Sequence, residues 1–222
     1  LTGLNDALQQ LGEMAHRQFE AAINGLAMQS DADLDDIING DAALDALEAE
    51  IHEKAVEVIA IRSPRAKDLR YVLVALKVAT ILERIGDYAR NIANRTKVIK
   101  VAGTENIPSV NIGRMGQLTQ GMVRDAMLSY KDRDSALAEA VWRRDVEVDH
   151  MHTTFHKEVL ASMTCDPNMV ATGAHLLFIA KNIERIGDYA TGIAEQVHFL
   201  VEGSLPDGDR PKADKTSKVA GT

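Results

Sequence analysis

The chain has 222 residues, of which 45% are hydrophobic and only 4% aromatic, and its 33 acidic and 25 basic side chains give a formal net charge of −8. This length suits one large domain or two small ones, and the hydrophobic content makes a buried core feasible. An acidic chain without a basic stripe argues against nucleic acid as the main partner. The abundance of Ala, Leu, Ile, Glu, Asp and Arg favours helix over strand.

The one cysteine, Cys165, excludes an internal disulfide and indicates a reducing compartment, so we expect a cytoplasmic protein. No secretion signal is visible, and the most apolar stretch, Tyr71 to Leu82, is interrupted by Lys77 and too short to cross a bilayer. We therefore expect any association with a membrane to go through a partner. Because the sequence begins at Leu1, we also expect the native start to lie upstream of it.

Apolar residues at helical spacing predict three helices in the first half of the chain. The first covers Leu4 to Met28, and the second runs from a capping Asp31 to about Ile61. Ser63-Pro64 then has the sequence of an N-cap followed by proline at the first helical position. A third helix is predicted from there to about Val101.

A second set of three helices is predicted after a junction at Gly103 to Pro108, which contains helix breakers and no periodicity. The fourth helix covers roughly Val110 to Tyr130, and the fifth covers Asp134 to Met163. Asp166-Pro167 repeats the cap-and-proline start, and the sixth helix runs from it to about Glu202.

The two halves carry the same sequence signature. The seven residues from Glu83 to Ala89 return unchanged from Glu184 to Ala190, at an offset of 101 residues. Each copy contains a mid-helix glycine, Gly86 or Gly187, which we expect to allow close packing of a neighbour. An acidic pair in the preceding helix also repeats, at an offset of 104 residues, as Asp41 with Asp45 and Asp145 with Asp149.

Both signatures occur in the same order in both halves, which indicates duplication of a three-helix unit. We therefore predict an all-α fold of two tandem, structurally similar antiparallel three-helix bundles, with six long helices in total. The first bundle is expected to cover residues 1–102 and the second residues 109–203. Residues 204–222 have Gly, Pro, Asp, Lys and Ser and no apolar stripe, which predicts a disordered tail.

Glu83 and Asp87 lie four residues apart on a predicted helix, so their side chains share one face, with Cβ atoms about 5–6 Å apart. Like charges at this spacing cost a helix a few tenths of a kcal/mol. Either the neighbouring arginines, Arg84 and Arg90, or a bound cation can offset this repulsion. A helical wheel places both carboxylates, and their counterparts in the second half, nearly opposite the apolar stripe and hence at the bundle surface.

The preceding helix supplies further carboxylates, because an antiparallel hairpin pairs residues that are equidistant from its turn. Each hairpin is thus predicted to bring four carboxylates to one level. The predicted metal ligands are Glu83, Asp87, Asp41 and Asp45 in the first half and Glu184, Asp188, Asp145 and Asp149 in the second. Oxygen donors suit Mg, Mn or Fe, and Zn less well unless a histidine joins. The alternative is a solvated acidic face, but the two intact copies favour a metal.

Histidines are not expected to join these sites. His52 and His156 lie seven residues beyond the acidic pairs, about 10 Å along the helix, which is too far for the same ion. We expect both to be structural or solvated. The other histidines have no informative spacing.

These residues resemble the PhoU family, phosphate-uptake regulators that accompany the phosphate ABC transporter, over about Leu4 to Gly203. The matching motifs are Asp41-x-x-x-Asp45, Arg62-x-Pro64-x-Ala66-Lys67-Asp68-Leu69-Arg70 and Glu83-Arg-Ile-Gly-Asp87, then Asp145-x-x-x-Asp149 and Glu184-Arg-Ile-Gly-Asp188. One departure is Asn94, which stands where the second half and the family have glutamate, here Glu195. We therefore expect the two metal sites to differ.

The resemblance implies metal ions (Fe, Mn, Mg or Zn) held at the surface of two similar bundles by the acidic motifs. It also implies a role without catalysis. Members of this family act as negative regulators of the phosphate-starvation response, linking the ATPase of the phosphate transporter to a membrane histidine kinase. They also limit phosphate uptake and commonly form homodimers.

Two other functions stay open. A carboxylate-bridged di-metal oxidase would use inward-facing Glu-x-x-His pairs, whereas glycine stands three residues after both Glu83 and Glu184. A metal-free helical adaptor would dock a basic partner through its acidic patch. The corner from Arg65 to Arg70 is basic and suits an acidic partner surface, unless these residues only cap and solvate the third helix.

Overall fold

The computed structural model describes residues 2–28, 32–101, 109–206, 213, 214 and 216. In this part of the chain all regular structure is helical and no strand occurs. The helices are α1 (Thr2–Met28), α2 (Ala32–Arg62), α3 (Lys67–Val101), α4 (Ser109–Asp132), α5 (Ser135–Cys165) and α6 (Met169–Glu202). The predicted junction at 103–108 and the predicted cap Asp31 lie outside the described residues.

The prediction that proline occupies the first helical position is wrong for both α3 and α6. Pro64 and Pro167 lie in the preceding turns, and the helices begin three and two residues later. Before α3, Ser63 and Ala66 both adopt positive φ angles, 43° and 48°. Right-handed helical dihedrals therefore resume only at Lys67.

The helices pack as two three-helix bundles. α1, α2 and α3 contact one another, and so do α4, α5 and α6. Between the bundles, α1 packs against α4 and α3 packs against α6, and the ring of Tyr71 on α3 also lies 6.1 Å from that of Tyr130 on α4. The predicted fold of two tandem three-helix bundles is confirmed.

A local two-fold relation joins the bundles. Tyr88 of α3 and Tyr189 of α6 are equivalent residues of the repeat, and their ring centroids lie 5.8 Å apart. A residue that contacts its own counterpart lies close to the axis of a self-complementary interface. Along α1 and α4, Gly12 and Gly116 allow close approach, since a Cβ at either would come within 2.7 Å of a side chain of the other helix.

One continuous apolar core runs through both bundles. Its buried side chains come from all six helices and include Phe19, Leu44, Ile85, Met122, Phe155 and Ile186. The helices α3 and α6 each contact three others, so each buries more than a single stripe. Among the described helices, none has the length and apolar content that a bilayer crossing requires.

Of the two glycines in the repeated signature, Gly86 allows close helix packing as predicted, whereas Gly187 leaves room for a Cβ. A Cβ on Gly86 would come within 2.6 Å of Cδ1 of Leu44, a buried side chain of α2. A Cβ on Gly187 would meet Asp145 Oδ1 at 3.4 Å and Val148 Cγ1 at 3.5 Å, which are ordinary contact distances. Packing therefore requires glycine more strictly in the first bundle than in the second.

Substituting alanine for each of these glycines tests whether packing requires glycine at that position. Gly187→Ala gains helix propensity, up to about 1 kcal/mol, without a clash. Gly86→Ala gains the same propensity but forces Leu44 to move in a packed core, so we expect it to be the less stable variant by about 1 kcal/mol. Urea unfolding followed by circular dichroism measures the difference, and equal midpoints would contradict it.

Candidate functional site

The first acidic cluster consists of Asp41 on α2 and of Glu83 and Asp87 on α3. The guanidinium of Arg90 joins the two helices, because it donates to Oδ2 of Asp41 and, at 2.8 Å, to Oδ1 of Asp87. Arg84 lies 3.6 Å from Glu83 and 3.4 Å from Asp87. Arginines thus supply positive charge to the acidic pair, which is one of the two offsets that the sequence left open.

Asp45, the fourth predicted ligand of this half, does not join the cluster. Its side chain is exposed one turn beyond Asp41. Burial raises the pKa of Asp41, Arg90 opposes the rise, and the charge of Asp45 adds to it. Asp45 therefore acts on the cluster through its field.

Glu48 lies closer to the cluster than sequence reasoning indicated. It accepts a hydrogen bond of 2.9 Å from the hydroxyl of Thr80 on α3, and its charge reaches Glu83. Glu48 follows Asp41 by seven residues, or two helical turns, so both lie on one face of α2. This seven-residue spacing could have identified Glu48 from the sequence as a neighbour of the cluster.

The carboxyl of Glu83 is unusually basic. Burial and then the adjacent charge of Asp87 raise the pKa of Glu83 to about 7; Arg84 lowers it, and Glu48 adds to the rise. Close to neutral pH this carboxyl therefore carries a proton for much of the time. A cation bound at the cluster would compete with that proton.

The second acidic cluster consists of Asp145 and Asp149 on α5 and of Glu184 and Asp188 on α6. Asp145, Asp149 and Glu184 are buried, and the side chain of Asp188 is 14% exposed. Asp145 lies over Gly187, with Oδ1 3.4 Å from where a Cβ would stand. The prediction of a surface position is wrong for Glu184, because α6 packs against three helices and the C-terminal segment covers this region.

Residues Ala213, Asp214 and Thr216 lie over the second acidic cluster. The backbone N–H of Ala213 donates to Oδ2 of Asp149 at 2.7 Å. Lys181 Nζ lies 2.8 Å from Glu184 and 3.3 Å from Asp214. The rest of the predicted disordered tail beyond Pro206 lies outside the described residues.

At this position Asp214 strongly favours its charged form over its protonated form. Burial alone would raise the pKa of Asp214, but two hydrogen bonds from Thr216 and the neighbouring His152 and Lys181 lower it to about 2. The segment therefore presents a fixed negative charge to Lys181. This charge links the C-terminal segment to α6.

His152 is a buried histidine of this cluster that sequence reasoning set aside. It is 2% exposed, and its Nδ1 lies 3.6 Å from Oδ1 of Asp214, beyond hydrogen-bond distance. Burial lowers the pKa of His152, with Asp214 opposing, so the ring is neutral at pH 7. The 104-residue offset makes His152 the counterpart of Glu48, and that correspondence could have identified it. His156 lies one turn further on, its ring 6.3 Å from that of His152.

The carboxylates repeat between the bundles, and so does one arginine, because Arg185 lies 3.4 Å from Asp188 as Arg84 does from Asp87. The other cations beside the carboxylates do not repeat. At the 101-residue offset Arg90 corresponds to Thr191, and Lys181 corresponds to Thr80. In the arrangement described, no three His, Cys, Asp or Glu side chains among the described residues are grouped so as to hold a metal ion. A metal at either cluster would require Arg90 or Lys181 to move away.

The raised pKa of Glu83 predicts a pH-dependent stability for the chelator-treated protein. Because the folded-state pKa of about 7 lies above the ordinary 4.5, the stabilising contribution is complete below pH 4.5 and is lost as the pH rises through 7. Glu83→Gln removes the ionisation, so we expect this variant to exceed the wild type in stability at pH 8, by on the order of 1 kcal/mol after solvent screening. The difference should disappear near pH 4.5.

Denaturant unfolding at both pH values measures this effect. Glu53→Gln, at an exposed glutamate of α2, is the matched control and should show no such dependence. A stability difference for Glu83→Gln that is the same at both pH values would contradict the raised pKa.

The PhoU domain family model matches residues 8–96 and 112–197, once in each bundle. A phosphate-specific transport system accessory protein PhoU homolog from Caulobacter vibrioides is 39% identical over 218 residues, which cover 98% of this chain and 95% of the relative. The crystal structure of PhoU from Pseudomonas aeruginosa aligns with a TM-score of 0.89 at 30% identity, over 92% of this chain and 98% of that one. The phosphate transport system regulatory protein PhoU from Streptococcus pneumoniae shares the fold, with a TM-score of 0.84 at 24% identity over 93% and 97% of the two chains. With matches to the family in both bundles and along nearly its whole length, the chain belongs to the PhoU family.

Proposed function

We propose that this protein regulates phosphate uptake and phosphate-starvation signalling, as a cytoplasmic adaptor between the ATPase of a phosphate ABC transporter and a sensor histidine kinase. The observation that carries the proposal is the match to a phosphate-specific transport system accessory protein, which spans both bundles and 95% of that relative. The kinase partner and a homodimeric state come from the family resemblance. The protein would associate with the membrane only through these partners.

A role without catalysis agrees with the local packing of the acidic clusters. Di-metal oxidases of helical bundles carry histidine three residues after a ligand glutamate. Here those positions are Gly86 and Gly187. Leu44 packs over the first and Asp145 lies over the second, so neighbouring helices take the space that a ligand histidine would need.

We further propose that both acidic clusters bind divalent or trivalent metal ions. In the first bundle the ligands would come from Asp41, Glu83 and Asp87. Their oxygen donors suit Fe, Mn or Mg. Burial and then the charge of Asp87 raise the pKa of Glu83, so a bound cation would stabilise its charged form. A bound ion would supply the positive charge that Arg90 and Arg84 supply in the structure.

In the second bundle the proposed ligands are Asp145, Asp149, Glu184 and Asp188. His152 is buried beside them and adds a nitrogen donor, which makes Zn a better fit here than in the first bundle. The ion would have to displace Lys181 and the segment at Asp214. The two sites are therefore expected to differ in metal preference.

Paired substitutions test the metal proposal. Glu83→Ala with Asp87→Ala should remove metal from the first bundle only, and Glu184→Ala with Asp188→Ala from the second only, because each hairpin has its own carboxylates. Elemental analysis of protein purified without chelators measures metal per chain. Unchanged content in both double variants would refute the sites, and a wild type without metal would favour the metal-free adaptor.

The start of α3 is the proposed docking surface for an acidic partner. Arg65 and Lys67 are exposed there. Arg70 is not equivalent to them, because its guanidinium lies 5.3 Å over the ring of Phe199 and close to Gly203. Arg70 therefore contributes to packing, and the docking proposal rests on Arg65 and Lys67.

Charge reversal tests this surface. Arg65→Glu with Lys67→Glu should slow association with the transporter ATPase about tenfold, with a weaker salt dependence, because rim charges act mainly on association rate. Arg143→Glu with Lys157→Glu, at exposed sites on α5, is the charge-matched control and should bind normally. Surface plasmon resonance gives the rates, and circular dichroism checks the fold.

The same variants test the biological role. Deletion of the gene should switch on phosphate-starvation genes at plentiful phosphate, and the control variant should restore repression better than the docking variant. A deletion strain that regulates phosphate normally, with neither partner recovered in pull-downs, would refute the proposed function.

A further inference from the structure

A cavity of about 440 Å³ lies at one end of the molecule, where the starts of α1 and α3 meet the ends of α4 and α6. Both bundles contribute to its wall. The acidic clusters lie well away from it, since Glu83 follows Lys67 by 16 residues on α3, or about 24 Å. The cavity is therefore separate from the acidic clusters, and it shares Lys67 with the proposed docking surface.

Three cations line this cavity although the chain as a whole carries a charge of −8. They are Lys67 at the start of α3 and Lys131 and Arg133 at the end of α4. Among the described residues that line it, Asp68 is the one acid, and none of the three cations forms an ion pair within the described part of the chain. Three positive charges against one negative charge leave the described part of the wall with a net positive charge.

A buried hydroxyl adds a second, independent sign of a ligand. Tyr130 lines the cavity and is 2% exposed, and its hydroxyl, which interacts with that of Tyr71, makes no well-formed hydrogen bond with a described group. The neighbouring hydroxyl of Tyr71 donates to Oδ1 of Asn5 at 2.9 Å. A buried hydroxyl without a well-formed hydrogen bond is destabilising, and it keeps the capacity to donate to a ligand.

Backbone geometry also favours an anion at this site. Lys67 and Asp68 form the first turn of α3, and the positive dipole end of this helix attracts negative charge. Arg133 has a φ of 55°, a left-handed turn that places it directly after α4. Its guanidinium lies 5.6 Å over the ring of Tyr71, which holds the charge at the cavity wall.

We propose that this cavity binds a small molecule carrying a phosphoryl group, either inorganic phosphate or a phosphate ester. Several cations and a hydroxyl donor together match the charge and the many acceptor oxygens of a phosphoryl group. The ring of Tyr71, with Leu200 and Val201, supplies apolar wall beside the cations, and this suits the organic part of an ester. A volume above 300 Å³ is in the usual range of small-molecule sites.

Equilibrium dialysis of the full chain tests the proposal, with radiolabelled inorganic phosphate and adenosine 5′-monophosphate as separate probes at one ionic strength. We expect saturable binding of at least one probe. Lys131→Gln with Arg133→Gln should weaken it at least tenfold, and Tyr130→Phe should weaken it while keeping the ring. Arg17→Gln with Lys157→Gln, an equal charge change at exposed sites on α1 and α5, should bind as the wild type does.

The two probes distinguish the source of the phosphoryl group. Binding of both, or of phosphate alone, identifies the free ion as a ligand, and binding of the monophosphate alone identifies an ester. No saturable binding of either probe up to ~10 mM, or equal weakening in the cavity variant and the control, would overturn the proposal. Circular dichroism of each variant checks that a loss of binding is not a loss of fold. Because the assay contains no partner protein, its result is independent of the adaptor role.

Discussion

The packing of α3 against α6 is the contact on which the rest of the structure depends. It brings Tyr88 against its counterpart Tyr189 and so relates the two bundles by a local two-fold axis. Each of these helices also packs against the other two of its own bundle. The faces that remain for polar groups are narrow, and the repeated carboxylates lie on them beside α2 or α5.

Because the carboxylates are confined to such faces, the neighbouring residues strongly affect their pKa values. Two acids one helical turn apart repel only weakly in water, yet next to a buried helix face the pKa of Glu83 rises to about 7. The two bundles supply only part of the offsetting positive charge in the same way. Arg84 and its repeat Arg185 border the two clusters alike. Arg90 borders only the first cluster, whereas Lys181 borders the second and the segment at Asp214 lies over it. The surroundings of the two clusters therefore differ through Arg90, Lys181 and the segment at Asp214, which do not repeat.

Separate surfaces on one rigid body suit an adaptor. The basic start of α3 and the cavity beside it lie at one end of the molecule, and the first acidic cluster lies about 25–30 Å along the same helix. Because α3 belongs to a core shared by all six helices, the distance between these surfaces is fixed. Two ligands or partners can therefore be held in a defined relation.

Local periodicity was enough to determine much of this protein. The spacing of apolar residues predicted six helices, and the 101-residue repeat predicted two like bundles, because both depend only on neighbours along the chain. The four-residue spacing of Glu83 and Asp87 likewise predicted a shared face. The tertiary structure alone decided that Glu184 is buried and that Asp45 stays outside its cluster. It also brought Ala213 to Asp149 across 64 residues and gathered the cavity wall from four helices. Burial and charge depend on which surfaces meet in space, and a pattern along one helix does not contain that information.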